Sequence, residues 1–394
     1  MMTWKQIGKR WVTAFGALAL LCGSFASFGQ EQAERPVKRA DQVSRERARE
    51  LFEKSNRGEK LTADEQTELD RARQQRRKGT ARVPANSGDA KSATPTGGKT
   101  TAGLVPLTEL SASDKYKGED GGLYGGGKNE PPETQRLAAQ KELAKIVPLD
   151  ANGQPAQDGK IVLLSIGMSN TTLEFSAFQK AANADSAKNP RLVIVDGAQG
   201  GQGAAEWTEG DGEKTWNRVA ARLKQADVAP TQVQVIWLKQ AVKRPKPGEE
   251  LQNARALQAY LVTILHTAKT TYPNLRIAYL SSRSYGGFST RHGEPESYET
   301  ALSVRWVIQD QLAGKPALNH DPARGDVKAP LLLWGPYLWS DGSTPRQSDA
   351  LVWTREDFVA DGTHPSDSGR QKAVDLLLKF FKTDPLAKAW FLKP

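Results

Sequence analysis

The chain has 394 residues, a formal charge of +10 at neutral pH and a single cysteine. That length suits one large domain or two smaller ones. One cysteine excludes an intramolecular disulfide, and the sequence offers neither a His/Cys cluster at metal-ligand spacing nor a Walker or Gly-x-Gly-x-x-Gly loop, so neither a metal nor a nucleotide cofactor is expected.

Lys5, Lys9 and Arg10 precede the apolar run Trp11–Cys22, which is followed by Ser24 and Ala26. This is the order of a secretory signal peptide. The run is shorter than the roughly 20 residues that cross a bilayer, and no later segment is longer and equally apolar. Residues 1–29 are therefore expected to be a removable signal, with no transmembrane span, and the protein to be exported: periplasmic, secreted or on the cell surface. Cys22 lies in this segment, after a bulky Leu21 where lipoprotein signals favour Gly or Ala. A processed chain would hold no thiol at all.

Residues 31–100 are rich in Lys and Arg, with the cluster RARQQRRKG at Arg71–Gly79. The expected role is a solvated tail or an attachment to the cell envelope, and no nucleic-acid partner is expected. Within this region residues 40–79 suggest a helical hairpin. Its second helix opens with Thr62 and Glu65 at capping-box spacing, but apolar positions are too sparse for an independent core. Residues 80–110, dominated by Pro, Gly, Ser and Thr, suggest a disordered linker. The glycine-rich stretch that follows contains Tyr116 and Tyr124, aromatics that need a surface to cover, so it is expected to be ordered as part of a second domain, residues 111–394.

From Lys160 onward five short Val/Ile/Leu runs alternate with helical patterns: KIVLLSI, RLVIVD, QVQVIWL, LRIAYLSS and PLLLWG. Continuous apolar runs suit strands covered on both faces. The clearest helix is Glu249–Thr270, with Leu257, Leu261, Ile264, Leu265 and Ala268 at helical spacing. The expected architecture is an α/β/α sandwich around a five-stranded parallel sheet. In such sheets ligands bind beyond the carboxyl ends of the strands, which directs attention to the residues following each run.

Ser169 follows the first run in GMSN; a serine there also suits a helix cap. Asp196–Trp207, DGAQGGQGAAEW, follows the second run, and its glycines leave backbone N–H groups free. The segment WLKQA, with Lys239 and Gln240, follows the third. Arg283, Tyr285, Tyr337, Trp339 and Asp341 follow the fourth and fifth, as candidate sugar contacts or as packing residues. Near the end, DGTHP sets Asp361 three residues before His364, just ahead of a helix. A serine nucleophile needs a base for its proton and an acid to hold the imidazole. Of the four histidines, His266 falls inside a helix and His292 and His320 in polar loops without a matching acid, which leaves His364. Glu294, Glu296 and Glu299 contain a conceivable carboxylate pair for glycoside cleavage, although such clusters commonly open a helix.

GMSN, GAQGGQG and DGTHP together resemble the SGNH (GDSL-type) hydrolase family over about residues 155–385. The stretch GGQGAAEW is similar to its carbohydrate-esterase, sialate O-acetylesterase-like branch. The resemblance implies a flavodoxin-like three-layer fold and an esterase whose substrate is an acylated carbohydrate or another small ester, with no cofactor and no metal. It implies Ser169 as nucleophile, His364 as base and Asp361 as its acid. It also implies oxyanion donors at the N–H of Ser169 and at Gly201, with Gly200 or Gly203 as alternatives for the latter. The Gly-x-Asn-Asp block expected after the third strand is missing, leaving Gln240 as the nearest amide donor and Lys239 as a cation in its place. Asn170, Arg283, Tyr285, Tyr337 and Trp339 are the expected substrate contacts. The alternative reading is an inactive domain of the same fold that binds a glycan or protein, and a Lys239 plugging the oxyanion position would favour it.

Overall fold

The computed structural model describes residues 103–394 except 211, 247, 291–292 and 394, together with residues 47, 51, 54, 61–69 and 71. The expected signal segment, Cys22 and most of the expected linker lie outside the described residues, as does His292. The chain divides into two units, residues 1–92 and 93–394.

In the first unit residues 63–69 are helical, as are Arg47, Leu51, Lys54 and Arg71. The Thr62 and Glu65 side chains accept each other's backbone N–H, at 3.2 and 3.0 Å, forming the capping box. Ion pairs join the two stretches, Lys54 to Glu65 at 2.8 Å and Arg47 to Glu68 at 3.0 Å.

In the second unit, α1 (Glu133–Leu143) leads into β1 (Ile161–Gly167), α2 (Ser169–Ala184), β2 (Leu192–Asp196), α3 (Gly212–Gln225), β3 (Val233–Lys239) and α4 (Glu250–Thr271). The chain continues through β4 (Ile277–Leu280), α5 (Glu296–Leu312), β5 (Leu331–Trp334), α6 (Asp367–Thr383) and α7 (Lys388–Phe391). The strands form one parallel sheet in the order β2-β1-β3-β4-β5. All seven residues of β1 and of β3 are buried, as strands covered on both faces require.

Strand alternation sorts the core into two layers. Val162, Leu164, Ile236 and Leu238 face Val219, Leu257 and Leu261 of α3 and α4. Leu163, Val235, Trp237 and Tyr279 face Phe175 and Phe178 of α2 and Phe381 of α6. Helices therefore cover both faces. Because β2 and β3 lie on opposite sides of β1, the order reverses there, which opens a crevice at the carboxyl ends of β1 and β3.

The glycine-rich segment is ordered against α5. The Tyr116 hydroxyl donates to Glu299 at 2.6 Å, and buried Arg305 donates to Glu119 and to the Asp120 carbonyl, both at 2.5 Å. The linker boundary expected at residue 110 needs correction. Leu107 is fully buried and its N–H donates to the Tyr337 hydroxyl at 3.2 Å, so the folded unit begins before it.

Phe381 sits at the centre of an aromatic cluster, with ring centroids of Phe178, Phe391 and Trp390 within 5.5 Å. Phe381→Ala should cost about 3–5 kcal/mol. In urea titrations this would appear as a lower midpoint with an unchanged slope.

Candidate active site

The crevice is built from backbone upward. β1 ends at Gly167, whose register partner on β3 is Lys239. A side chain at residue 167 would lie 2.4 Å from both the Lys239 carbonyl and the Thr171 hydroxyl, so only glycine lets the strand ends approach this closely. The Thr171 hydroxyl donates to that carbonyl at 2.8 Å, fastening the first turn of α2 to β3. Ser169 is the first residue of α2. The first N–H groups of a helix have no partner within it and carry partial positive charge. A hydroxyl placed there faces a region suited to negative charge.

His364 comes from the turn before α6. Its Nε2 lies 2.8 Å from Ser169 Oγ, and its Nδ1 lies 2.6 Å from Asp361 Oδ2. Asp361 Oδ1 accepts the N–H of Thr363 at 2.9 Å and of His364 at 3.0 Å. Partial burial acts to raise the Asp361 pKa, but these N–H groups and the imidazole outweigh it and hold the carboxyl below the ordinary aspartate value. Asp361 therefore stays ionised and fixes the proton of His364 on Nδ1, leaving Nε2 to accept from the serine.

Three contacts hold this turn over α2. Asn170 donates from Nδ2 to the Thr363 carbonyl at 2.8 Å, and the hydroxyls of Ser289 and Thr363 meet at 2.5 Å. Gly362 has φ +64° and presses against the Phe288 carbonyl, which would lie 1.7 Å from any Cβ. Asn170, expected to touch substrate, is instead 2% exposed and spent on positioning the histidine turn. Nothing in the sequence links it to Thr363, 193 residues away.

The third-strand block resolves in an unexpected way. Lys239 is fully buried and its Nζ pairs with Glu174 on α2, so it does not plug the crevice. Burial pushes the Lys239 pKa down and the Glu174 carboxylate pulls it back up. Gln240, by contrast, is 2% exposed, and its Nε2 is sealed from solvent without a partner. Gly201 has φ +76° in the exposed turn after β2. That turn is organised from below by half-buried Asp196, which accepts from the hydroxyls of Ser165 and Thr172.

Two other expected substrate contacts belong to the core. Trp339 is fully buried and donates from its indole to Glu294 at 2.8 Å, and Tyr337 is 6% exposed against Leu107. Tyr285 is 8% exposed and packs edge-on against Phe288, with centroids 5.0 Å apart. Arg283 is buried at the end of β4. Asp341 accepts the N–H of Ser343 at 2.8 Å within its own turn. Two of the three glutamates are engaged in other contacts. Glu294 accepts N–H groups of Gly286 and Tyr298 besides the Trp339 indole, and burial pushes its pKa up to about 7. Glu299 binds Tyr116 and Lys117. Among the described residues no group of three or more His, Cys, Asp or Glu gathers as a metal ion would require.

No family model matches the chain, and no curated protein matches it. Among solved structures it is similar to a "putative SGNH hydrolase" from Slackia heliotrinireducens, at 18% identity and TM-score 0.27, covering 56% of this chain and 99% of that one. It is also similar to a "putative acylhydrolase" from Bacteroides fragilis, at 14% identity and TM-score 0.32, covering 66% and 100%. A third match is the periplasmic domain of a lipopolysaccharide acetyltransferase from Salmonella ser. Paratyphi A, at 14% identity and TM-score 0.28, covering 63% and 95%. The chemistry of the site rests on this chain's own side chains rather than on these likenesses.

Because the Asp361 pKa is lowered in the folded state, its contribution to stability is present above the ordinary aspartate value and is lost as pH falls through the lowered one. The stability difference between wild type and Asp361→Ala, measured by urea unfolding at a series of pH values, should therefore shrink in acid. Gly362→Ala should destabilise the protein by roughly 1–3 kcal/mol or more through strain alone, lowering the urea midpoint.

Proposed function

We propose that the protein is an exported serine esterase that removes acyl groups, most simply O-acetyl groups, from a carbohydrate. The observation that carries the reading is the unbroken line from Ser169 Oγ to His364 Nε2 at 2.8 Å and from His364 Nδ1 to Asp361 at 2.6 Å, at the carboxyl edge of a parallel sheet. The carbohydrate and the export step are supported by the sequence: the GGQGAAEW block and the signal-like first 29 residues.

In this reading Ser169 Oγ attacks the ester carbonyl carbon while His364 Nε2 takes the hydroxyl proton. Asp361 holds the imidazolium through Nδ1–H. The carbonyl oxygen becomes an oxyanion at the start of α2, where the Ser169 N–H and an N–H of the Gly200–Gly203 turn can donate to it, joined by the Gln240 amide once its buried side chain turns toward the crevice. The buried Nε2 of Gln240 lacks an acceptor, and an unsatisfied buried donor is costly. A donor that waits for charge developing in the transition state is the form of stabilisation that accelerates acyl transfer most. Collapse of the intermediate expels the sugar oxygen, which takes the proton from His364 and leaves an acyl-serine. His364 then deprotonates a water that attacks the acyl carbon, releasing the carboxylic acid and restoring Ser169.

A binding domain without turnover would have been favoured by Lys239 filling the oxyanion position, but Lys239 is committed to Glu174.

Hydrolysis of p-nitrophenyl acetate tests the reading. Ser169→Ala and His364→Ala should fall to the uncatalysed background. Gln240→Ala should lose about 10²–10³-fold in kcat. Equal turnover by wild type and Ser169→Ala would overturn the assignment.

A further inference from the structure

The described part of the protein buries three arginines, Arg283, Arg305 and Arg346. Two have carboxylate partners, although the Nε of Arg305 is itself buried without a hydrogen bond. Arg305 pairs with Glu119 and Asp120, and Arg346 pairs with Asp349 and donates to the carbonyls of Tyr337 and Trp339. Arg283 differs. It is 4% exposed, yet its guanidinium makes no hydrogen bond or ion pair to a described residue, and its Nε is sealed from solvent. Only its backbone is anchored, the N–H donating to Thr300 Oγ1 at 3.0 Å. A buried charge without a partner is strongly disfavoured unless something supplies the missing interactions.

The neighbourhood explains why no protein group does so. Arg283 interacts electrostatically with Lys239 and Glu294. Lys239 is taken by Glu174 and would in any case repel a guanidinium. Glu294 attracts it, but the Glu294 oxygens already accept from Gly286, Tyr298 and Trp339. Further polar groups after the strands are likewise buried without partners, among them Ser282 Oγ beside Arg283 and Gln240 Nε2 after the adjacent strand β3. The carboxyl edges of β3 and β4 thus present unused donors and one guanidinium without a hydrogen-bonded carboxylate, next to the strand that leads into Ser169.

We propose that Arg283 is the specificity-determining residue of this site, and that it binds a carboxylate carried by the sugar whose ester is cleaved. The proposal rests on the esterase reading and names its substrate class, an acylated acidic sugar. A carboxylate has two coplanar oxygens that match the guanidinium fork and one negative charge that balances it. A neutral sugar would leave Arg283 buried and unpaired, so the site discriminates by the penalty of that mismatch as well as by the new bonds.

The test compares mono-O-acetylated methyl glucuronoside with mono-O-acetylated methyl glucoside, which differ only in the carboxylate. Wild type should favour the acidic ester by about 10- to 100-fold in kcat/KM, the range expected for a hydrogen bond to a charged group. The ratio should fall to about one in Arg283→Gln and recover in part in Arg283→Lys, whose ammonium keeps the charge without the fork. A loss of packing would slow both esters together and leave the ratio intact. Calorimetric binding of methyl glucuronoside against methyl glucoside to Ser169→Ala gives a readout independent of turnover. Arg283-dependent preference for the uronoside with no hydrolysis of either ester would remove the esterase reading and keep the carboxylate site. Equal binding of the two sugars, or a wild-type ratio near one, would overturn the proposal even if both esters are cleaved. If Arg283→Gln does not fold, an undiminished ratio in Arg283→Lys would overturn it as well.

Discussion

The close approach of β1 and β3 at their carboxyl ends is the constraint on which the site depends. Gly167 has no side chain, so the Lys239 carbonyl can come within reach of the Thr171 hydroxyl, and that bond starts α2 at Ser169. The same register sets Lys239 at the end of β3, where its side chain pairs with Glu174 on α2, and leaves Gln240 buried as the next residue. A side chain at residue 167 would push the strand ends apart and move the serine, the amide and the buried ion pair together.

The second half of the site arrives from 195 residues further along the chain, and it depends on backbone packing rather than on apolar burial. Gly362 in its left-handed conformation fits under the Phe288 carbonyl, the Asn170 amide holds the Thr363 carbonyl, and Asp361 uses one oxygen on its own turn and the other on the imidazole. Asp361 and His364 remain partly exposed, so their geometry is set by hydrogen bonds to elements that are themselves rigid. The loop after β4 therefore serves the site twice, supporting the histidine turn at Phe288 and Ser289 and carrying Arg283 at its start.

Much of this was legible in the sequence. Each of the five apolar runs became a strand because continuous Val/Ile/Leu stretches have no other way to bury both faces, and the helix expected at Glu249–Thr270 occupies Glu250–Thr271. The Ser169, Asp361 and His364 positions could be picked out because strand ends and a three-residue spacing are local signals. The misassignments involve contacts that are not local. Trp339 and Tyr337 look like sugar platforms in a strand-end loop, but Glu294 and Leu107, distant in sequence, draw them into the core. Asn170 beside a nucleophile looks like a substrate contact, and only the fold shows that its amide faces Thr363. The ion pair of Lys239 with Glu174 was hidden for the same reason, although a glutamate just before Phe175 on the apolar face of a helix is a faint sign of a buried partner.

The account stands or falls on whether Ser169 is an activated nucleophile, and covalent labelling tests that without assuming any substrate. Wild type and His364→Ala would be treated with an alkyl fluorophosphonate and the modified residue located by peptide mass spectrometry. The account predicts a single adduct on Ser169 in wild type that forms far more slowly in His364→Ala. No adduct, or labelling of Ser169 at the same rate in both proteins, would show that the hydroxyl gains nothing from the imidazole 2.8 Å away, and would contradict it.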